Sequence, residues 1–328
     1  MDQVLSPVVL AWPGTAGWFL MATSATSVPA SSLLVAARTN LGALVEALRP
    51  GQWVKNGFVL AALVFARQLT DSRQVALAVL AAADFCLLSS AVYLINDVFD
   101  LAEDRQNPLK RLRPVASGRL PARTAVLAAV LLDLVALTVA WRLAPSFFLI
   151  GAVYAGLNLA YSAFLKRVML VDVFLIAAGF VLRVVAGGLV IHVPISAWLL
   201  VCTTMLALFL ALSKRRHELV VLEDAASSQR ANLVHYSPYF LDQLIVIVTA
   251  ATLMSYALYT LSGDVHTKFP GKRMDLTVPF VLFGVFRYLF LVHRHKEGGN
   301  PARLLFTDAV LLGVVLLWAL SVILIIYL

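Results

Sequence analysis

Long apolar runs occupy most of this sequence, and they constrain its fold more than any other feature. Nearly all of them reach the length of about 20 residues that a helix needs to cross a bilayer. Apolar residues make up 61% of the chain and charged residues only 13%, which excludes an ordinary soluble domain. The two cysteines, Cys86 and Cys202, also fall inside apolar runs, which predicts buried thiols and no disulfide. The pattern predicts an all-α polytopic membrane protein with nine spans, at 57–70, 74–97, 122–141, 146–165, 170–191, 195–213, 240–262, 276–292 and 304–327.

The basic residues are distributed unevenly between the two sets of connections. Of the 26 Lys and Arg residues, 18 lie on the side of the segment that precedes the first span and six on the other, while Arg183 and Arg287 lie deeper within spans. Arg67 and Arg123, at the ends of spans, are counted with the adjoining connections. Positive residues collect on the cytoplasmic side of membrane proteins, so the sequence predicts a multi-pass protein of the plasma membrane with its basic loops in the cytoplasm. We therefore attribute the net charge of +8 to membrane topology and phosphate binding, because the sequence has no compact basic domain that could bind nucleic acid.

The segment before the first span divides into two parts. Residues 1–37 are apolar but interrupted by Pro, Ser and Thr, and they are left as an unassigned apolar extension. Residues 38–328 are predicted to form a single transmembrane domain. Its beginning, 38–56, has the pattern of an amphipathic segment at the level of the lipid headgroups, where Arg49 and Trp53 suit the interface.

Three acids follow the second apolar run, where unpaired charge is costly. Asp97, Asp100 and Asp104 have i, i+3, i+7 spacing, which places their carboxylates on one face of a continuous helix, with Asn96 at the edge of that face. Carboxylates this close repel one another unless a cation lies among them, and oxygen ligands of this kind suit Mg²⁺. The motif therefore predicts a catalytic Mg²⁺ site in which the three aspartates bind the metal and Asn96 contacts the substrate. Helix-end acids without a ligand are the alternative.

A basic loop follows the acidic motif directly. Pro108 is expected to end the helix, and the residues after it are rich in Lys, Arg, Pro and Gly. An acidic metal site beside a basic loop suits a diphosphate that carries Mg²⁺, because the metal joins carboxylate to phosphate and Arg side chains bind the remaining oxygens. A loop that only sets topology is the alternative. The predicted substrate-binding residues of this loop are Lys110, Arg111 and Arg113, and Arg119 and Arg123 continue its basic character.

Two further connections on the same side carry charge. Between the fourth and fifth runs, Tyr161, Lys166 and Asp172 precede Arg183, an intramembrane cation that needs a carboxylate or a substrate phosphate as its partner. A buried ion pair between helices is the alternative for this group. After the sixth run the sequence predicts a phosphate-binding cluster, with a solvated helix end as its alternative. This cluster comprises Lys214, Arg215, Arg216 and Glu218.

Other polar residues give weaker signals. Tyr236 and Asp242 bracket the start of the seventh run and are weak site candidates, since an acid near a helix start is favourable to the helix dipole in any case. Asp84 and Asp133 lie inside predicted spans, where polar contacts between helices are the expected role.

The motif Asn96-Asp97-x-x-Asp100-x-x-x-Asp104 in a nine-span chain resembles the first aspartate-rich motif of the UbiA superfamily of intramembrane prenyltransferases, and the resemblance covers about residues 45–327. It implies a helical bundle around a central cavity that opens to the cytoplasm. It also implies that the apolar chain of the substrate leaves through a lateral opening. Members usually carry a second aspartate motif after the sixth span, and two Mg²⁺ ions then hold a prenyl diphosphate between the two motifs.

The sequence departs from that pattern after the sixth span, where the text KRRHE at 214–218 replaces the second acidic motif. Together with the text LRPGQWVKN around Lys55, this departure resembles the phosphoribosyltransferase branch of the superfamily. That branch implies Mg²⁺-dependent transfer of a phosphoribosyl group from phosphoribosyl diphosphate to decaprenyl phosphate or another polyprenyl phosphate, with release of diphosphate, for cell-wall arabinan precursors. Lys55 would then be one of the substrate-binding residues. A homo-oligomer is compatible with this assignment.

Two other functions stay open at this point. A UbiA-type enzyme could instead move a prenyl group from a prenyl diphosphate to an aromatic or phospho-glycerol acceptor, in which case Glu218 and Asp224 would serve as a degenerate second metal motif. A transporter or channel would also accommodate nine spans with intramembrane charge. Against a transporter, the acids cluster at one cytoplasmic edge and no inverted repeat is visible in the sequence.

Overall fold

The structure is all-helical, as the sequence predicts. The computed structural model describes residues 41–108, 110–223, 236–294 and 301–328, so the 1–37 extension lies outside the described residues. Within the described part, which contains no β-strand, eight helices are long and apolar enough to cross a membrane. In chain order these are α1 Ser72–Phe99, α2 Ala122–Leu143, α3 Pro145–Ala163, α4 Val171–Val190, α5 Ala197–Glu223, α6 Pro238–Leu261, α7 Val278–Arg294 and α8 Ala309–Tyr327.

Several of these helices begin where a side chain satisfies their free backbone N–H groups. Asp71 accepts hydrogen bonds from two N–H groups in the first turn of α1. Ser237 caps α6 in the same manner, and Asp308 caps α8. Because Asp308 interrupts the last predicted run, 304–327, a short separate helix, Pro301–Thr307, precedes α8.

The first predicted span, 57–70, does not form a long helix. Its place is taken by a 3₁₀ helix, Pro50–Leu60, that continues into a short α-helix, Ala61–Phe65. A 3₁₀ helix rises about 2.0 Å per residue and an α-helix about 1.5 Å, so this 50–65 segment extends roughly 30 Å, the thickness of a bilayer core. The short apolar run crosses that distance because it is wound more tightly than an α-helix.

The two ends of the 50–65 segment contact opposite ends of the bundle. Arg49, just before the segment, forms an ion pair with Asp97 near the end of α1. Leu69, just after it, donates its backbone N–H to the hydroxyl of Tyr327 at the end of α8, at 3.1 Å. Since successive helices alternate in direction, α1 and α8 end on opposite sides. The described chain therefore has nine crossings, eight of them long helices.

Small residues allow close packing between the crossings. At Gly187 on α4, an added Cβ would lie 1.9 Å from the carbonyl oxygen of Val59, so only glycine lets α4 approach the 50–65 segment this closely. Ala136 and Ala140 on α2 are fully buried in the same way. Close approach of backbones at small residues is the usual basis of helix association in membranes, where no hydrophobic driving force acts between helices.

Arg49 and Trp53, predicted to lie at the headgroup level, both contact α1. The indole Nε1 of Trp53 donates to Ser90 Oγ at 3.1 Å, and Arg49 pairs with Asp97 as described above. Both side chains therefore fix the start of the 50–65 segment against the helix that carries the acidic motif.

The two cysteines are free thiols, and each is half-buried. Cys86 Sγ accepts a hydrogen bond from the side-chain amide of Asn56 at 3.2 Å, which joins α1 to the 50–65 segment.

Candidate functional site

A cavity of about 1450 Å³ lies within the bundle, and every crossing except α2 contributes to its wall. The wall is polar beside the acidic motif and at the end of α5, and it is apolar over most of α5 to α8, where Leu206, Leu210, Val281, Val315 and Trp318 line it. The predicted site residues in the wall are Lys55, Asn96, Asp104, Lys110, Arg113, Tyr161, Arg183, Lys214 and Glu218. The others, Asp97, Asp100, Arg111, Lys166, Asp172, Arg215 and Arg216, lie outside it.

The acidic motif does not lie on one continuous helix, in contrast to the prediction. Helix α1 ends at Phe99, Asp100 occupies the junction, and a new short helix, Leu101–Gln106, carries Asp104. The chain turns at Asp100, whose ψ is 4° instead of a helical value. All three carboxylates are nonetheless buried, each with 2% of its surface exposed. The second helix ends before Pro108, which confirms the predicted boundary.

Cations surround the three aspartates. Asp97 Oδ1 accepts from Arg49 and, at 3.3 Å, from Arg113. The same Arg113 donates to Asp104 Oδ2 at 2.6 Å and thereby joins two of the aspartates. Asp100 pairs with the ammonium group of Lys166 and also accepts from the Asn96 amide at 3.0 Å. Three cationic side chains therefore neutralise three buried carboxylates.

The residues of the acidic motif fit Mg²⁺, although they form no finished metal site by themselves. Among the described residues, no group of three or more Asp, Glu, His or Cys side chains converges as a metal cluster. Asp97 Oδ2, however, is buried behind the cavity wall and has no hydrogen-bond partner among the described residues, so this oxygen lacks the partner that a metal ion would supply. Mg²⁺ usually takes only one or two carboxylates and completes its shell with water and substrate phosphate. One free carboxylate oxygen beside two further aspartates meets that requirement.

Only some of the basic side chains of this loop line the cavity. Lys110 and Arg113 line the cavity, whereas Arg111 is exposed outside it, so the predicted substrate contact of Arg111 is not supported. Arg119 forms a bidentate ion pair with Glu46, with N–O distances of 2.7 and 3.0 Å. Hydrogen bonding from Arg119 holds the pKa of Glu46 below its usual range. Arg119 therefore anchors the loop to the amino-terminal segment.

Arg183 lies deep in the bundle and is 5% exposed. Its three guanidinium nitrogens donate to Asn56 Oδ1 at 2.8 Å, the carbonyl oxygen of Gly179 at 2.7 Å and the Tyr154 hydroxyl at 2.8 Å. All three acceptors are neutral, and the guanidinium makes no ion pair with Asp172 or any other described residue. Asp172 is three helical turns away on α4, a distance that a side chain cannot span.

The predicted phosphate-binding cluster on α5 is divided by the structure. Arg215 is 1% exposed and pairs with Asp172 at 2.6 Å and with Glu218, and it also donates to the Tyr161 hydroxyl at 3.2 Å. Arg216 points to the other side of the helix and pairs with Asp242. Neither side chain lines the cavity, so phosphate binding by these two residues stays a prediction.

Lys214 and Glu218 do line the cavity, 3.9 Å apart at i, i+4. Of the cluster, these two remain candidates for substrate contact. Asp224, the other member of the degenerate metal motif considered above, lies outside the described residues.

The weaker candidates take structural positions. The Tyr236 hydroxyl donates to Asp172 Oδ1 at 3.1 Å and accepts the N–H of Leu170 at 2.8 Å, and burial raises the pKa of Tyr236 to about 12. Asp84 is buried, but neither of its carboxylate oxygens has a hydrogen-bond partner among the described residues, so its predicted polar contact is not made. The same holds for Oδ1 of Asp133.

Sequence reasoning missed several cavity residues on α3. Tyr154, Asn158 and Ser162 all line the cavity, and Ser162 Oγ donates to Asn96 Oδ1 at 3.3 Å. Their spacing of four residues places them on one face of the helix, which is the signal that could have found them. Arg49 was also missed as a partner of Asp97, because the two lie 48 residues apart in the chain.

Comparison with known proteins agrees with the architecture. The sequence profile of the UbiA prenyltransferase family matches residues 57–263. The chain is 32% identical over 289 residues to the decaprenyl-phosphate phosphoribosyltransferase of Corynebacterium glutamicum, covering 87% of this chain and 86% of that protein. It is 33% identical over 284 residues to the Mycobacterium tuberculosis protein of the same name, covering 85% and 92%.

A solved structure shares the fold. The UbiA homologue from Archaeoglobus fulgidus bound to GPP and Mg²⁺ superimposes with a TM-score of 0.65 at 19% identity, covering 86% of this chain and 99% of that chain. The profile match and the two relatives settle the wider assignment: this chain is an integral membrane protein that belongs to the UbiA prenyltransferase family.

Proposed function

We propose that this chain transfers the 5-phosphoribosyl group from phosphoribosyl diphosphate to a polyprenyl phosphate such as decaprenyl phosphate and releases diphosphate. The two relatives described above carry the name of that activity and align with most of the chain. The product would be a lipid-linked phosphoribose of the kind that cell-wall arabinan synthesis consumes. The protein would act in the plasma membrane, with the acidic end of its cavity open to the cytoplasm, where the soluble donor is present.

The observation that carries the proposal is that, among the described residues, the carboxylates near the end of α5 are already paired with a buried cation. Near the end of α5, where prenyl-diphosphate enzymes of this superfamily hold a second metal, Arg215 pairs with both Asp172 and Glu218. A second Mg²⁺ at that place would have to compete with a fully buried guanidinium for the same carboxylates. One metal-binding region plus separate cations suits a donor with one diphosphate and one distant phosphate better than a prenyl diphosphate held between two metals.

The residues around the acidic motif would bind the leaving group. Asp97, Asp100 and Asp104 would hold Mg²⁺, which would offset the negative charge of the diphosphate when bound. Lys110 and Arg113 face the same end of the cavity and would donate to the remaining diphosphate oxygens. Arg113 would exchange part of its bonding to Asp97 and Asp104 for bonding to the substrate.

The reaction needs no general base from the protein. An oxygen of the lipid phosphate attacks C1 of the ribose, the C1–O bond to diphosphate breaks, and the diphosphate leaves with the electron pair. A phosphate monoester has a second pKa near 6 and is therefore mostly dianionic at neutral pH. The chain's own contribution would be to orient the two substrates and stabilise the departing charge.

Donor identity is tested directly with purified protein. We expect labelled phosphoribosyl diphosphate and decaprenyl phosphate to yield a labelled lipid and free diphosphate, and a labelled prenyl diphosphate with 4-hydroxybenzoate to yield no product. Both reactions are run with the same preparation at the same Mg²⁺ concentration. Prenyl transfer without phosphoribosyl transfer would refute the proposal while leaving the family assignment intact.

The orientation is tested by labelling. Arg111 is exposed on the side of the acidic motif, and Arg273 is exposed near the connection between α6 and α7, on the opposite side. In a background without Cys86 and Cys202, Arg111→Cys should react with an impermeant thiol reagent only after cells are opened. Arg273→Cys should react in intact cells. The reverse pattern would place the acidic motif outside the cytoplasm and exclude a cytoplasmic donor.

A further inference from the structure

Two cations in the cavity wall have no acidic partner. Lys55 makes no hydrogen bond or ion pair with any described residue, and Arg183 donates only to the neutral oxygens described above. Arg183 bonds to the side chain of Asn56, the residue that follows Lys55, and both cations line the cavity. An uncompensated cation inside a membrane protein is costly and indicates a bound anion. The Lys55–Arg183 pair is therefore a candidate anion site.

This pair lies well inside the bundle. Lys55 follows Arg49 by six residues of 3₁₀ helix, which places it roughly 12 Å farther in than the Arg49–Asp97 pair. Arg183 follows Asp172 by 11 residues of α4, roughly 16 Å farther in than the Asp172–Arg215 pair. Two independent helices thus place the two cations at similar depth, below the region that would hold the donor's diphosphate.

The surroundings of the pair are apolar and aromatic. Phe58 lines the cavity one 3₁₀ turn after Lys55, and its ring centre lies 5.0 Å from that of Phe180. The guanidinium of Arg183 lies 4.8 Å from the ring centre of Tyr154 and 5.6 Å from that of Phe180. A highly hydroxylated, multiply charged donor would leave many of its polar groups unsatisfied against such a wall. A phosphate attached to an apolar chain fits these surroundings better, because the two cations bind the phosphate and the apolar wall contacts the chain.

We propose that Lys55 and Arg183 bind the phosphate of the polyprenyl phosphate acceptor, while its apolar chain occupies the part of the cavity lined by α5 to α8. This assignment rests on the proposed function and adds to it the position of the nucleophile. The ligand chemistry is a phosphate monoester, and the 5-phosphate of the donor is the other source of the same group. The experiment must therefore separate the acceptor from the donor.

Lys55→Met removes the charge, keeps an unbranched chain of similar length and breaks no hydrogen bond within the described structure. Equilibrium binding of labelled decaprenyl phosphate in detergent should weaken roughly 10- to 100-fold, as expected for the loss of one hydrogen bond to a charged group. Binding of the uncharged decaprenol should not change. In steady-state assays the KM for the acceptor should rise while the KM for phosphoribosyl diphosphate stays constant, and Lys55→Arg should recover part of the affinity.

Arg273→Gln is the matched control, because it removes one cation from the opposite, exposed surface and should leave both substrates unaffected. A rise in the donor KM with unchanged acceptor binding would assign the site to the donor's 5-phosphate and overturn the inference. Unchanged binding of decaprenyl phosphate would overturn it as well. If the wild type forms no phosphoribosyl lipid yet prefers decaprenyl phosphate to decaprenol through Lys55, the proposed function fails and the phosphate site stands.

Discussion

Asp97→Asn is expected to lower the rate of phosphoribosyl transfer by about a thousandfold or more. The substitution keeps the size of the side chain and one acceptor oxygen, but it removes the negative charge from the carboxylate whose Oδ2 has no partner in the described part of the chain. Charge stabilisation by a bound metal is worth several kcal/mol, and a loss of about 4 kcal/mol corresponds to about a thousandfold in rate. Initial rates at saturating substrate and Mg²⁺ measure the effect.

The control for this variant is Asp71→Asn, the same chemical change at the opposite end of α1. Asn caps a helix about as well as Asp, so this variant should retain activity and melting temperature. A second readout is the stabilisation of the wild type by Mg²⁺ together with diphosphate, which Asp97→Asn should lose. Turnover within tenfold of the wild type in Asp97→Asn, or full turnover in excess EDTA, would contradict the metal site.

The fold could be predicted from the sequence because the membrane imposes it. Backbone groups in lipid must bond within their own segment, so each apolar run of sufficient length forms a helix. The one exception was the short run at 57–70, where length alone could not reveal that a 3₁₀ helix starting at Pro50 would make up the distance. The packing of the segment is also non-local, because the missing side chain of Gly187 lets α4 approach it closely.

The candidate site was predictable where its signal is local. Asp97, Asp100 and Asp104 are close in sequence, and the structure buries all three carboxylates among cations, while their role in ligand binding stays a prediction. The break in the helix at Asp100 was not visible, since none of these residues is a strong helix breaker.

The partners of the charged residues could not be predicted, because they are distant in the chain. Arg215 meets Asp172 across 43 residues, and Lys166 meets Asp100 across 66. A cluster of basic residues therefore has the same sequence pattern whether it binds a phosphate or forms ion pairs within the protein. On α5 the structure separates the cases, because Lys214 lines the cavity and Arg215 does not.

Asp172→Ala is expected to destabilise the folded protein by about 3 kcal/mol, because it leaves the buried guanidinium of Arg215 without one of its two carboxylate partners. Breaking a buried ion pair from one side costs about 3–5 kcal/mol. The lower end applies since Glu218 still contacts Arg215. Unfolding in mixed micelles with increasing denaturing detergent measures the loss. The neighbouring Arg216–Asp242 pair is the matched control: Asp242 is 38% exposed, so Asp242→Ala should cost about 1 kcal/mol or less.

The double variant Asp172→Leu with Arg215→Met separates a structural ion pair from a substrate contact. Removing both partners leaves no unpaired charge, so the double variant should be more stable than Asp172→Ala alone. If Arg215 instead binds substrate phosphate directly, Arg215→Met alone should raise a KM strongly at unchanged stability, and Asp172→Ala should leave the unfolding midpoint near that of the wild type. Arg215 is 1% exposed and bonded to Asp172, Glu218 and Tyr161. We therefore expect its loss to lower the stability of the folded protein more than it raises a KM.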